Sequence, residues 1–232
     1  MEFLSPAWFS ALAAIVLIDL VLAGDNAIVI ALAARNLPAH LRRRAVLWGT
    51  VGAIAVRAAM TLVVVWLLQV PGLMLVGGLG LVWIAYRLLA PADGGHGEAG
   101  SATSFWAAMK TIVVADALMG VDNVLGVAGA AHGSFTLVVV GLLLSVPIMV
   151  WGSALVLRLL DRFPQISYLG AGVLAFTAAK MIVGEPLLDA VFDPHLWARL
   201  ALYAVLVAGV LLAGHWAARR LPQEAGDAAP AA

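Results

Sequence analysis

The chain has 232 residues, 64% apolar and 11% charged, against about 45–50% apolar and 25% charged in a soluble domain, which excludes a soluble globular protein and sets an integral membrane class. Thirteen Lys and Arg balance thirteen Asp and Glu, so no basic surplus points to nucleic acid, and the absence of cysteine excludes disulfides, thiolate metal sites and cysteine nucleophiles. At about 20 residues per span the length suits one bundle of six to eight helices.

No positive region precedes the first apolar run, so no cleavable signal is expected. That run, Trp8 to Ala34, exceeds a perpendicular crossing, and Ala23-Gly24-Asp25 is the natural place for a break. Arg35, Arg42, Arg43 and Arg44 follow as the densest positive cluster. By the positive-inside rule this loop is cytoplasmic and the N-terminus lies outside. A second span, Ala45 to Leu68, turns at Gln69-Val70-Pro71-Gly72 into a third, Leu73 to Leu89. Residues 90–104 are polar and Gly-rich, a flexible cytoplasmic linker. The fourth span is Phe105 to Ala131, the fifth Phe135 to Leu157 with a kink expected at Pro147. Arg158, Asp161 and Arg162 mark another inner loop. The sixth span, Ile166 to Val183, leads to an outer loop with Glu185, Asp189 and Asp193, read first as an ordinary acidic loop, with attraction of cations as the alternative. The seventh, Leu196 to Trp216, ends at Arg219-Arg220, which puts the C-terminus in the cytoplasm.

The fold class is therefore all-α, a polytopic membrane helix bundle of seven transmembrane helices. Its units are residues 1–89 and 105–183, a three-helix repeat each, with 184–220 as outer loop and extra helix and 221–232 as a disordered tail. The repeat is read from an acid motif that occurs twice. Laying Ile15–Ala34 over Ile112–Ala131 without a gap gives 8 identities in 20, among them Asp19 with Asp116, Asp25 with Asp122 and Asn26 with Asn123. Three helices separate the copies, so the motif helices cross in opposite directions, the plan of an inverted-repeat transporter with a midplane site. Elsewhere the repeat is faint: Gly78 and Gly80 align with Gly170 and Gly172, Arg87 and Lys180 fall one position out of that register, and the second and fifth spans show no convincing match.

An aspartate at mid-bilayer costs about 2.5–3.5 kcal/mol, so the four acids need a proton, a basic partner or a cation. Positions seven apart share a helical face, which stacks Asp19 over Asn26 and Asp116 over Asn123, whereas Asp25 and Asp122 point about 120° away on a straight helix. Unwinding near Gly24 and Gly120 would re-aim them and free carbonyls. The ligand set, carboxylates and amide oxygens, suits magnesium, calcium or manganese rather than copper or zinc. Arg57, near the middle of the second span, is either a built-in counter-charge or an arginine snorkelling along a tilted helix. Lys180 is open to the same two readings. Met119, one turn after Asp116, is a candidate soft ligand or a packed core methionine.

The paired motifs Asp19-x5-Asp25-Asn26 and Asp116-x5-Asp122-Asn123, the seven-span layout and Ala178-Ala179-Lys180-Met181-Ile182 together resemble the TerC family, in its YjbE-like branch, within the LysE-type exporter group. The resemblance covers residues 5 to 188. It implies a multi-pass protein of the bacterial inner membrane that exports divalent metal, manganese first, with the metal on Asp19, Asp25, Asn26, Asp116, Asp122 and Asn123. On this reading the protein is no enzyme and holds no permanent cofactor. Its partners are the Mn2+ substrate, exchanging protons and the lipid bilayer, and a homo-oligomer is left open. The rival readings are a calcium or amino-acid exporter and an intramembrane aspartyl protease; the second lacks the Gly-x-Gly-Asp context such proteases show.

Overall fold

A computed structural model describes residues 5–63, 66, 70–90, 98–131 and 134–220; the side chains of 21–23, 98–104, 122, 125, 126, 128 and 220 stand outside that description. The interior of the expected linker (91–97), residues 67–69 at the expected end of the second span, residues 132–133 between the expected fourth and fifth spans and the expected tail (221–232) lie outside the described residues.

Among the described residues the chain is helical throughout, without strands. Helix α1, Pro6–Ala34, starts where Ser5 accepts the Trp8 N–H at 3.2 Å and Pro6 supplies a preset φ. Helix α2 is Ala39–Leu62, following Pro38, and α3 is Leu73–Leu89, entered through Gly72 at φ 83, a left-handed turn that glycine adopts without a Cβ penalty. Helix α4 is Glu98–Ala131, and α5, Phe135–Arg162, is capped by Ser134. Helix α6, Ile166–Val183, leads through a 3-10 turn at Pro186–Leu188 to the short α7, Asp189–Phe192, and then α8, Leu196–Arg220. By length and composition α2, α5, α6 and α8 can each cross a membrane, and the bent α1 makes a fifth; α3 is a shorter apolar helix of 17 residues.

Several boundaries move. Helix α2 begins at Ala39, so Arg42, Arg43 and Arg44 ride its first turns instead of a loop, and α4 begins at Glu98, seven residues before the expected Phe105. Both extensions are polar helix ends, which hydropathy does not see. Pro147 sits inside α5, which remains one helix across it. The break expected near Gly24 is a bend: Pro6–Leu20 and Gly24–Ala34 meet at 46° while the helix continues.

Helix α1 packs chiefly on α5 and α4, α2 on α4, and α3 on α6. Contacts at glycines set the directions. A Cβ at Gly141 would meet Ile15 and one at Gly152 Ala27, so α1 and α5 run parallel; Gly49 against Ile112 and Gly120 against Met60 make α2 and α4 parallel as well. The buried positions also fix registers. A shift of 92 residues carries Ala45, Val46, Gly49, Thr50, Ala53 and Arg57, the buried face of α2, onto Leu137, Val138, Gly141, Leu142, Ser145 and Met149, all buried on α5. A shift of 93 carries Gly77, Gly78, Leu81, Ala85, Leu88 and Leu89 onto Gly170, Ala171, Leu174, Ala178, Met181 and Ile182. At that offset Arg87 falls opposite Lys180, and Gly77 rather than Gly78 opposite Gly170.

Two apolar clusters fill the interior. The larger gathers Val29, Ile30, Ala45, Leu81, Ile112, Leu157 and Leu174; the smaller gathers Trp8, Ile15, Val127, Leu137 and Leu142. At one end of the bundle Arg42 on α2 pairs with Asp161 on α5 at 2.8 Å. At the other, Glu185 is turned inward, 1% exposed, and accepts the backbone N–H groups of Gly72 at 2.9 Å, Met74 at 3.1 Å and Leu75 at 3.3 Å. Burial alone would raise this carboxyl, but the N–H donors of Gly72, Leu187, Leu75 and Met74 outweigh it and hold it below the ordinary glutamate range. Of the outer acids, then, Glu185 caps α3 and Asp193 pairs with Arg199.

A candidate buried carboxylate site

Three buried charged groups, Arg57, Asp19 and Asp116, meet between the helices that carry the two acid motifs. Arg57 on α2 is 1% exposed and donates from Nη1 to Asp19 Oδ1 on α1 and from Nη2 to Asp116 Oδ1 on α4. Asp19 is fully buried and Asp116 6% exposed. The equivalent aspartate of each motif thus reaches one guanidinium, as it must: a buried charge without a partner costs several kcal/mol, and a planar fork can serve two carboxylates at once. Two carboxylates thus face one guanidinium.

Six buried side-chain atoms have no hydrogen-bond partner in the protein among the described residues: Asp19 Oδ2, Asp116 Oδ2, Arg57 Nε, both amide atoms of Asn26, and Thr50 Oγ1. Folded proteins leave few such atoms, each at about 1–3 kcal/mol. Three belong to the triad itself, and the other three, on Asn26 and Thr50, lie seven positions along the helices from Asp19 and Arg57. Four of the six are oxygens, and carboxylate, amide and hydroxyl oxygens suit a hard divalent cation.

The remaining candidates divide. Asp25 is half-buried just after the bend of α1 and accepts the Asn26 backbone N–H at 3.1 Å, a contact that draws on the local distortion of the helix. Asn26 is 2% exposed and Asn123 half-buried. The Asp122 side chain lies outside the described residues. Met119 packs within the larger apolar cluster, and Lys180 is exposed near the end of α6. Among the described residues no three of His, Asp and Glu converge closely enough to hold a metal together.

Sequence reasoning missed two residues near this site. Thr50 is fully buried seven positions before Arg57, a spacing that alone could have placed it on the arginine's face. Met149, 2% exposed, is the register mate of Arg57, and the Gly141–Ile15 and Gly152–Ala27 contacts bracket it at the level of Asp19 to Asp25. No letter of the sequence links methionine to arginine, so only the burial pattern could reveal that correspondence.

Comparison with known proteins places the chain among bacterial membrane proteins. Residues 4–221 match the model of the integral membrane protein TerC family. The chain is 45% identical over 200 residues to the uncharacterized membrane protein YjbE of Bacillus subtilis, covering 86% of this chain and 91% of that one. It is 26% identical to YkoY of the same organism, an uncharacterized membrane protein, over 71% of this chain and 54% of that one. It is 25% identical to the UPF0053 inner membrane protein YgdQ of Escherichia coli, over 82% and 84%. No solved structure matches the chain.

Proposed function

We propose that this chain, which belongs to the integral membrane TerC family, exports divalent metal cations across the inner membrane, manganese first. The observation that carries the reading is the buried triad: one aspartate from each acid motif on a single arginine, each with its second oxygen unpartnered. The oxygen donors set the class of ion; manganese is the member of that class that the family resemblance selects.

In this reading Arg57 is the resident cation. It neutralises part of the site when metal is absent, and an incoming divalent ion displaces it and takes the free oxygens of Asp19 and Asp116. Asp25, Asp122 and Asn123 complete the set around the triad, Asn26 meets the ion on its way there, and protons replace the departing metal. The bundle is an inverted three-plus-three repeat with α8 as a seventh span, and rocking of the halves exposes the site alternately. The burial registers of α2 with α5 and of α3 with α6 support that plan, since exchanging the two sets of three helices maps each main packing pair onto a packing pair. Positive loop residues support an outer N-terminus and a cytoplasmic C-terminus.

The test is a manganese challenge in cells that express the chain, with Asp19→Asn, Asp25→Asn, Asp116→Asn and Asp122→Asn as separate variants checked for membrane insertion. Each is expected to lose protection while still inserting. Full protection by both Asp19→Asn and Asp116→Asn would refute the site. Uptake into inside-out vesicles with manganese, calcium and lysine in parallel identifies the cargo.

A further inference from the structure

The polar layer contains a pair of side chains that neither the carboxylates nor Arg57 use. Thr50 lies seven residues before Arg57 on α2, and Asn26 seven residues after Asp19 on α1. Seven residues return to nearly the same helical face about 10 Å along the axis. Residues 35–38 alone join α1 to α2, so the two helices run antiparallel, and the Asp19–Arg57 ion pair brings those faces together. Asn26 and Thr50 therefore share one level, displaced from the triad toward the end of the bundle that holds Arg42 and Asp161.

Both side chains are buried, Thr50 fully and Asn26 at 2% exposure, and neither has a side-chain hydrogen bond among the described residues. For Thr50 this is anomalous. A helical serine or threonine usually returns its hydroxyl to a carbonyl one turn back. Thr61 does so to Arg57 at 2.8 Å, Ser145 to Leu142 at 2.9 Å and Ser153 to Val150 at 3.0 Å. Thr50, more buried than Thr61, keeps its hydroxyl off the α2 backbone and on the face of an amide that is equally unpaired. Three orphaned polar atoms at one level, each costing about 1–3 kcal/mol, call for a ligand.

Building on the proposed transport function, we propose that Asn26 Oδ1 and Thr50 Oγ1 form a second cation subsite on the cytoplasmic side of the triad. It takes a hard divalent cation that retains part of its water shell, which the Asn26 amide N–H groups can also hold, and passes it to Asp19 and Asp116. The subsite exists on one side only. The register mate of Thr50 is Leu142, which packs in the smaller apolar cluster and offers no oxygen. Entry from the cytoplasm thus has an oxygen step that exit lacks.

The experiment uses the full chain in lipid vesicles of both orientations, with Mn2+ alone as probe and the variants Thr50→Val, Thr50→Ser, Asp19→Asn and Asp116→Asn. Thr50→Val removes only the hydroxyl and is expected to raise the half-saturating Mn2+ concentration about five- to tenfold from the cytoplasmic face, the worth of one oxygen ligand. The outer-face value stays unchanged, and Thr50→Ser behaves as the parent. Equal half-saturation for Thr50→Val and the parent, with both aspartate variants inactive, overturns the subsite and leaves the transport function standing. A rise on both faces, or an unfolded Thr50→Val protein, assigns the hydroxyl a structural bond and overturns the subsite as well. Undiminished transport by both aspartate variants refutes the carboxylate site to which the subsite would pass its ion, and the subsite with it.

Discussion

Replacing Arg57 by methionine, the residue at its register mate 149, is the perturbation that separates a counter-charge from mere packing. The guanidinium is the partner of both Asp19 and Asp116, and methionine keeps much of the apolar stem while removing the charge. Breaking a buried ion pair from one side costs about 3–5 kcal/mol, because the stranded partner remains. Counting both stranded aspartates at about 2.5–3.5 kcal/mol each gives an upper bound of about 5–7 kcal/mol. Arg57→Met is therefore expected to lose about 3–5 kcal/mol in metal-free unfolding experiments. Removing the stranded charges as well, in Arg57→Met/Asp19→Asn/Asp116→Asn, should recover most of that loss. Manganese should act selectively: at a hundred times the dissociation constant a ligand adds about 2.7 kcal/mol, and a site freed of its resident cation binds the ion more tightly. The assay is unfolding in detergent with and without Mn2+ for the parent, Arg57→Met and the triple variant. The reasoning fails if Arg57→Met unfolds like the parent, or if its deficit persists when both aspartates are neutralised.

Three further outcomes follow from other parts of the fold. Glu185→Gln should loosen the start of α3 and cost about 1–2 kcal/mol in unfolding, as for a lost helix cap. Because the folded carboxyl sits below its ordinary range, its contribution is complete above the unfolded glutamate value of about 4.3 and disappears as pH falls through the lower folded value; an acid titration of the parent against Glu185→Gln should show the two converge there. Gly78→Ala drives a Cβ to 2.8 Å from the Ala178 carbonyl oxygen, backbone that cannot yield, and should cost about 1–3 kcal/mol, whereas Gly129→Ala meets nothing within 4 Å and should gain up to about 1 kcal/mol. Asp161→Asn breaks the pair with Arg42, whose aspartate side chain is 55% exposed, and thermal unfolding should register no more than about 1 kcal/mol.

Apolar run length, positive loop residues and the doubled acid spacing are local properties, so the sequence by itself determined the membrane class, the course of the main helices and the candidate status of Asp19, Asn26 and Asp116. It also marked Arg57 as deep enough to need a carboxylate, without saying which one. It could not see polar helix ends such as Ala39–Arg44, because hydropathy measures transfer into lipid and not helix formation. It could not align α2 with α5 either, since what those helices share is which positions are buried and not which letters fill them. Only the tertiary structure decided that Arg57 spans both motifs, that Glu185 serves the backbone of α3, and that Met119 belongs to apolar packing. It also set Thr50 beside the site with its hydroxyl unspent. Each of these depends on which helix faces which, a relation fixed by interlocking small and large side chains across helices such as Gly49 with Ile112 and Gly141 with Ile15, and therefore invisible along any single helix.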